Sequence, residues 1–229
     1  MFAVRSLSLL VMFAVAHAAY GNDTPSPEQL FAASTRLMGF EEDLPAIRSI
    51  SAEAHVTVEA TAYDTKVKSI VTAVGFGDTE FSIIRDGVST RYSDEGGKLL
   101  RTVDGQNSFA LPAGMAAFIH GHQFHRRTLF PSRELVTTNS VTEAYFQGKA
   151  GYEVSGATAA GRLSYFFDKK TGFMLGYRLT LQEDAGPHVM EFTLKDWRIS
   201  DGKSLFWQME IDDRGTIFTY DFNKVLLLP

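Results

Sequence analysis

The sequence predicts a mainly β chain of the α+β class, laid out as an antiparallel meander. From Arg162 to Pro229, alternating apolar runs are each closed by a short polar turn carrying glycine. In one of them Leu205, Trp207, Met209 and Ile211 share a face, and Phe206, Gln208, Glu210 and Asp212 share the other. That period of two is the pattern of a half-buried strand. The turns Asp168–Gly172, Asp201-Gly202 and Asp213–Gly215 hold residues that tolerate positive φ, as tight hairpins require. Turn signals recur at roughly 8–12 residue spacing, which favours one large sheet, a sandwich or a barrel over alternating βαβ units.

Taken in order, Met1–Ala18 reads as a secretory signal. One basic residue, Arg5, precedes an apolar run from Leu7 to Ala16, and Ala16-His17-Ala18 supplies a small-x-small cleavage site. The run is shorter than the roughly 20 residues that span a bilayer, so an uncleaved anchor is disfavoured. Residues 19–229 are expected to form a single domain, exported across the inner membrane to the periplasm.

Tyr20–Pro27 is a polar lead-in to a helix. Ser26 is placed to cap it, Pro27 takes the first helical position, Glu28 complements the dipole and Gly39 ends it. Glu41–Ile50 is a shorter or irregular segment interrupted by Pro45. From Ile50 to Tyr63, small apolar residues alternate with polar ones, predicting a long strand. Lys66–Val74 pairs back on it through a turn near Asp64, and Glu80–Arg85, Ser89–Ser93 and Lys98–Thr102 continue the pattern. Leu111–Pro131 breaks it and predicts a short helix or helical lid. Strands resume at Glu134–Thr138 and run through Ser140–Phe146 and Gly151–Ser155 into the C-terminal meander.

Composition narrows the function. The 229 residues include no cysteine, so an exported chain must rely on its core, and no lipid-modified N-terminal cysteine is possible. A net charge of −5 argues against a nucleic-acid partner. The 18 phenylalanines either fill a core or line a cavity.

Gly151-Tyr152-Glu153-Val154, Leu163–Phe167 and the Asp168-Lys169-Lys170-Thr171-Gly172 turn resemble the strand, D-x-x-T-G turn and strand of the LolA/LolB-like proteins. That group includes the outer-membrane lipoprotein-sorting proteins. Leu194–Arg198, Asp201-Gly202-Lys203 and Asn223-Lys224-Val225 extend the resemblance. It implies an unclosed antiparallel β-barrel, or half-barrel, wrapped around one or more helices with an apolar cavity between them. It also implies a non-enzymatic carrier without a cofactor, and with no anchor cysteine a soluble one, expected to be a monomer. The ligand would be hydrophobic (a lipid, an acyl chain or the acyl groups of a lipoprotein), with a membrane or envelope protein as a further partner. The candidate walls are Val56, Val58, Trp207, Met209, Ile211, Phe218, Tyr220 and Phe222, with Phe118 and Ile119 from the lid.

Three other readings compete. His120, His122 and His125 invite a metal-dependent enzyme, but zinc needs three or four ligands, and no carboxylate completes the set at a recognised spacing. Histidines on the surface or partly buried in a polar loop are the plainer account. Glu41-Glu42-Asp43 and Asp212-Asp213 suit a solvated segment and a strand end better than acid–base chemistry. Arg126-Arg127 reads as an exposed charged rim. A filled core with a protein-binding edge strand is the remaining alternative to a carrier.

Overall fold

A computed structural model describes residues 24–59, 64–73, 78–112, 115–158, 161–183 and 186–229. The signal segment, and the turn expected before Asp64, lie outside the described residues. Helix α1 (Pro27–Leu37) starts as expected: the Ser26 hydroxyl accepts from the Gln29 amide, and Gln29 closes a reciprocal capping box. Gly39, at φ +75°, takes the left-handed position after it. A Cβ there would run into the Gly202 carbonyl, so the site needs glycine for space as well as for φ.

The first half of the sheet is β1 (Ser49–Val58), β2 (Asp64–Ala73), β3 (Thr79–Arg85), β4 (Val88–Glu95), β5 (Lys98–Val103) and β6 (Phe109–Ala110). Three short helices follow: α2 (Ala116–Gly121), α3 (Phe124–Leu129) and α4 (Pro131–Glu134). The second half is β7 (Thr137–Thr138), β8 (Thr142–Phe146), β9 (Lys149–Thr158), β10 (Gly161–Asp168) and β11 (Met174–Glu183). It ends with β12 (Gly186–Ser200), β13 (Lys203–Asp213) and β14 (Thr216–Leu228). Each half is a meander of hairpins, and the two join where β1 pairs antiparallel with β14. The resulting sheet runs from β6 to β7, with β8 also on β9. Its two edges are linked in sequence by α2–α4 rather than by a strand pairing, so the barrel is unclosed and its concave side holds helices.

Turn chemistry sets the hairpins. Asp86-Gly87 and Asp201-Gly202 both have positive φ at both residues, the geometry that matches strand twist. In the D-x-x-T-G turn, Asp168 Oδ1 accepts from the amides of Lys170 and Thr171, at 2.9 and 2.8 Å.

The interior has two cores. The larger one joins Leu30 and Phe31 of α1 to Tyr165 and Phe167 of β10, Tyr177 of β11, and Phe192, Phe206 and Met209. The smaller one, of Met38, Phe40, Ile47, Ile50, Leu129 and Phe130, seals the end where β1 begins.

Three expectations are corrected. Glu134 ends helix α4 instead of opening a strand, because Pro131 fits the first turn of a helix. Arg126 and Arg127 are not an exposed rim. Their side chains are only 11% and 7% exposed, and both sit on the Glu134 carboxylate, at 3.1 and 3.5 Å. The single apolar face of 205–211 also fails: Ser204, Phe206, Met209 and Ile211 are buried, while Leu205 and Trp207 are half-buried. The inward face slips by one residue between Phe206 and Met209. The facing strand slips with it at Asp196, whose φ is +49°.

Candidate functional site

On β1 the inward residues are Ile50, Ala52, Ala54, Val56 and Val58. Ile50, Ala52 and Ala54 are packed in the cores, while Val56 and Val58 leave the concave side underfilled. The space is a half-open cavity of about 410 Å³, toward the end opposite the smaller core. Val56 and Val58 (β1), Val67 (β2), Ile83 (β3) and Tyr92 (β4) form one wall. Met190 and Phe192 (β12), Ile211 (β13), and Phe218 and Tyr220 (β14) form the other. Phe118 and Gly121 of α2, with Phe124 of α3, close it from the concave side. Polar groups enter at Arg85 and Asp213, which end their strands, at Thr90 within β4, and at His122.

The helical insert is held by polar contacts that link residues far apart in sequence. His120 Nε2 lies 2.7 Å from Asp94 Oδ2 of β4. The Gln123 amide donates to His120 Nδ1 at 3.2 Å and to Thr79 Oγ1 at 2.5 Å. An acceptor at Nδ1 leaves the His120 proton on Nε2, facing the carboxylate. At the other end, Glu134 draws Arg126 and Arg127 together, and Arg127 also donates to the Gly121 carbonyl at 3.2 Å.

His122 and His125 are buried, correcting the expectation of histidines in a polar loop. The His122 ring stacks on Phe81 at 3.7 Å, and His125 stacks on Phe206 at 4.1 Å. His122 Nδ1–H donates to the Phe118 carbonyl at 2.9 Å, so Nε2 is the acceptor for the Tyr220 hydroxyl at 3.4 Å. Burial lowers both histidines to about 4, so both stay neutral at neutral pH. Burial also raises the Tyr220 hydroxyl, which remains a donor. The three histidines therefore point to three different partners. Among the described residues no three His, Asp or Glu side chains are grouped to hold a metal ion. Of the carboxylates weighed for catalysis, Asp212 caps the Gly215 amide at 2.8 Å and Asp213 meets His188 at 2.5 Å.

Of the ten residues expected around the ligand, six line this cavity: Val56, Val58, Phe118, Ile211, Phe218 and Tyr220. Ile119, Met209 and Phe222 are buried in the larger core instead. Trp207 is half-buried at the margin of that core, outside the cavity lining, and lies beneath the Arg198 guanidinium, 5.0 Å from its ring centre. Reading the sequence missed Val67, Ile83, Tyr92 and Phe192, although the alternation within β3 and β12 carried a signal for two of them. It also missed Arg85 and His122. A second, open depression of about 860 Å³ lies on the outer face of β10–β13. It is lined by paired charges, Arg162 with Glu153 at 3.8 Å and Arg178 with Glu191 at 2.6 Å, and does not suit an apolar ligand.

Solved structures with this arrangement identify the architecture. A LolA superfamily protein from Nitrosomonas europaea aligns over 90% of this chain and 95% of its own, at TM-score 0.58 and 8% identity. The chain has the LolA-like fold. A DUF1329 family protein from Desulfovibrio piger aligns over 89% and 94%, at TM-score 0.55 and 13% identity. A domain assigned to the outer membrane lipoprotein-sorting proteins of Vibrio parahaemolyticus aligns over 78% and 85%, at TM-score 0.52 and 9% identity. No family model matches the sequence, and no curated protein matches it. At these identities the likeness concerns the LolA-like fold alone. No helix among the described residues is long and apolar enough to cross a membrane.

Proposed function

We propose that this protein is a periplasmic carrier or binding protein for a hydrophobic ligand, held without covalent chemistry in the half-open cavity. The observation that carries this reading is the contrast between the two ends of the concave side. One is sealed by Met38, Phe40, Leu129 and Phe130. The other leaves about 410 Å³ walled by valine, isoleucine and aromatic rings. An unfilled apolar space of this size costs stability unless a ligand fills it. Transfer of apolar area out of water, worth about 0.8 kcal/mol per buried methylene, drives uptake. The signal-like Met1–Ala18 segment supports export, and the likeness to a LolA superfamily protein and a lipoprotein-sorting domain supports carriage over catalysis. Delivery would involve a membrane or envelope protein partner.

The test is native mass spectrometry of protein exported to a bacterial periplasm, followed by organic extraction. A discrete added mass, released as a lipid or acyl species, is expected. A clean apo mass that stays unchanged after incubation with lipids and lipopeptides rejects the carrier.

A further inference from the structure

We infer that a chloride ion is bound inside the protein where α1, α3 and α4 meet β10 and β11, held by the Tyr165 and Tyr177 hydroxyls and the Arg127 guanidinium. These residues do not line the cavity, so the site stands apart from the carrier reading. Tyr165 and Tyr177 are directly opposed across β10 and β11, with ring centroids 6.0 Å apart, and point to the same face. Both are fully buried, and neither hydroxyl has a hydrogen-bond partner among the described residues. Burial raises both phenols, so at neutral pH each keeps a proton that has no acceptor. Arg127 stands beside Tyr177, its guanidinium carbon 5.9 Å from the ring centre. Its Nε is 3.5 Å from Glu134 Oε2 but outside hydrogen-bond geometry. Arg126 Nε is buried and open as well. So is the Ser34 hydroxyl, one turn along α1 from Phe31, whose ring meets Tyr165 edge-on.

Two imbalances identify what belongs there. The first is in hydrogen bonding. Two guanidinium N–H groups and three hydroxyls can donate, whereas the one open acceptor is Glu134 Oε1, already 3.1 Å from Arg126 Nη1. The second is in charge. The charges that bear on the two phenols are those of Arg126, Arg127 and Glu134, two cations against one carboxylate. A buried cation without a counterion is costly, and so is a buried donor without an acceptor. A water brings protons of its own to a place short of acceptors, and it leaves the charge unbalanced. A halide accepts from all the donors together and neutralises the excess. Enclosure by fully buried side chains favours a monovalent ion close to a water in size over sulfate, phosphate or a lipid headgroup.

The experiment pairs thermal unfolding of the exported protein in sodium chloride, bromide or gluconate at one ionic strength with diffraction from crystals grown in sodium bromide. Chloride and bromide are expected to raise the unfolding temperature with the logarithm of their concentration, as ligands of the folded state do, and gluconate is not. A bromide anomalous peak is expected within hydrogen-bonding distance of the Tyr165 and Tyr177 hydroxyls. Tyr177→Phe should weaken halide affinity about ten- to a hundredfold, the scale of one hydrogen bond to a charged partner. In gluconate the same variant should unfold at the unaltered temperature or above it, because the group removed has no partner there. Tyr145→Phe, at an exposed tyrosine, should change neither. An equal loss for Tyr177→Phe in all three salts makes Tyr177 purely structural and overturns the inference. Water at the cluster with unfolding indifferent to halide also overturns it, as does bromide found only on the surface. The bromide position is read on the unaltered protein, so the test holds even where a variant fails to fold.

Discussion

On β1 the inward positions are Ile50, Ala52, Ala54, Val56 and Val58; on β10, in the other half of the same sheet, they are Leu163, Tyr165 and Phe167. Both strands are antiparallel, alternate in and out, and face a helix. They differ in side-chain volume. Where rings point inward, α1 seats Phe31 edge-on against Tyr165 and Phe167, with centroids 5.9 Å apart, and the space is filled. Where Val56 and Val58 point inward, a cavity is left. A backbone plan thus fixes where a pocket is possible, and the choice of small or large residues along one face decides whether it exists.

Breaking the filled half should be the most costly. Phe167→Ala is expected to lower the unfolding free energy by about 3–5 kcal/mol in urea titration, because packed rings cannot collapse into the gap. Glu134→Gln should cost a similar amount, about 3–5 kcal/mol, by leaving two buried guanidinium groups without their carboxylate. Replacing the triad together (Arg126→Met, Arg127→Leu, Glu134→Leu) should recover most of that loss, which separates broken pairing from broken packing.

The buried histidines give a smaller, pH-dependent effect. His122 and His125 ordinarily titrate near 6.5, and burial lowers both to about 4. The unfolded chain takes up protons in that window and the folded chain does not. Stability from these two groups is therefore complete above about 6.5 and is lost as pH falls toward 4, at up to about 1.4 kcal/mol per pH unit for each histidine. His122→Phe should roughly halve the slope of unfolding free energy against pH. The smallest effect belongs to the open half: Val58→Ala should cost about 1 kcal/mol or less, because part of that side chain already faces the cavity. A Val58→Ala penalty as large as that of Phe167→Ala would erase the distinction between the halves.

The features legible in the sequence were local ones. The Ser26 cap, the Gly39 stop, the Asp-Gly hairpins and the alternation of β1 are all set by neighbours a few residues apart. What was hidden depends on distant partners. Arg126 and Arg127 look like surface charge until α3 and α4 fold Glu134 between them. His120 finds Asp94 from 26 residues away. Trp207 was misplaced because a strictly regular strand was assumed, whereas the pleat slips at Asp196. The cavity was half legible: its valines follow the period of β1, while Arg85 and Phe192 join it only through the curvature of the sheet.

The seam between β1 and β14 bears on how the chain reaches this state. Glu53 and Lys224 sit 3.0 Å apart although 171 positions separate them in sequence. Hairpins on either side of the seam can form from local contacts. The central pairing cannot form until nearly the whole chain is present, and its loop-closure entropy is high. Until then β1 is an unprotected edge whose inward face is apolar. An emerging chain therefore carries a sticky strand with one open edge for most of its synthesis, and the waiting time for the seam, rather than hairpin formation, sets its exposure to aggregation.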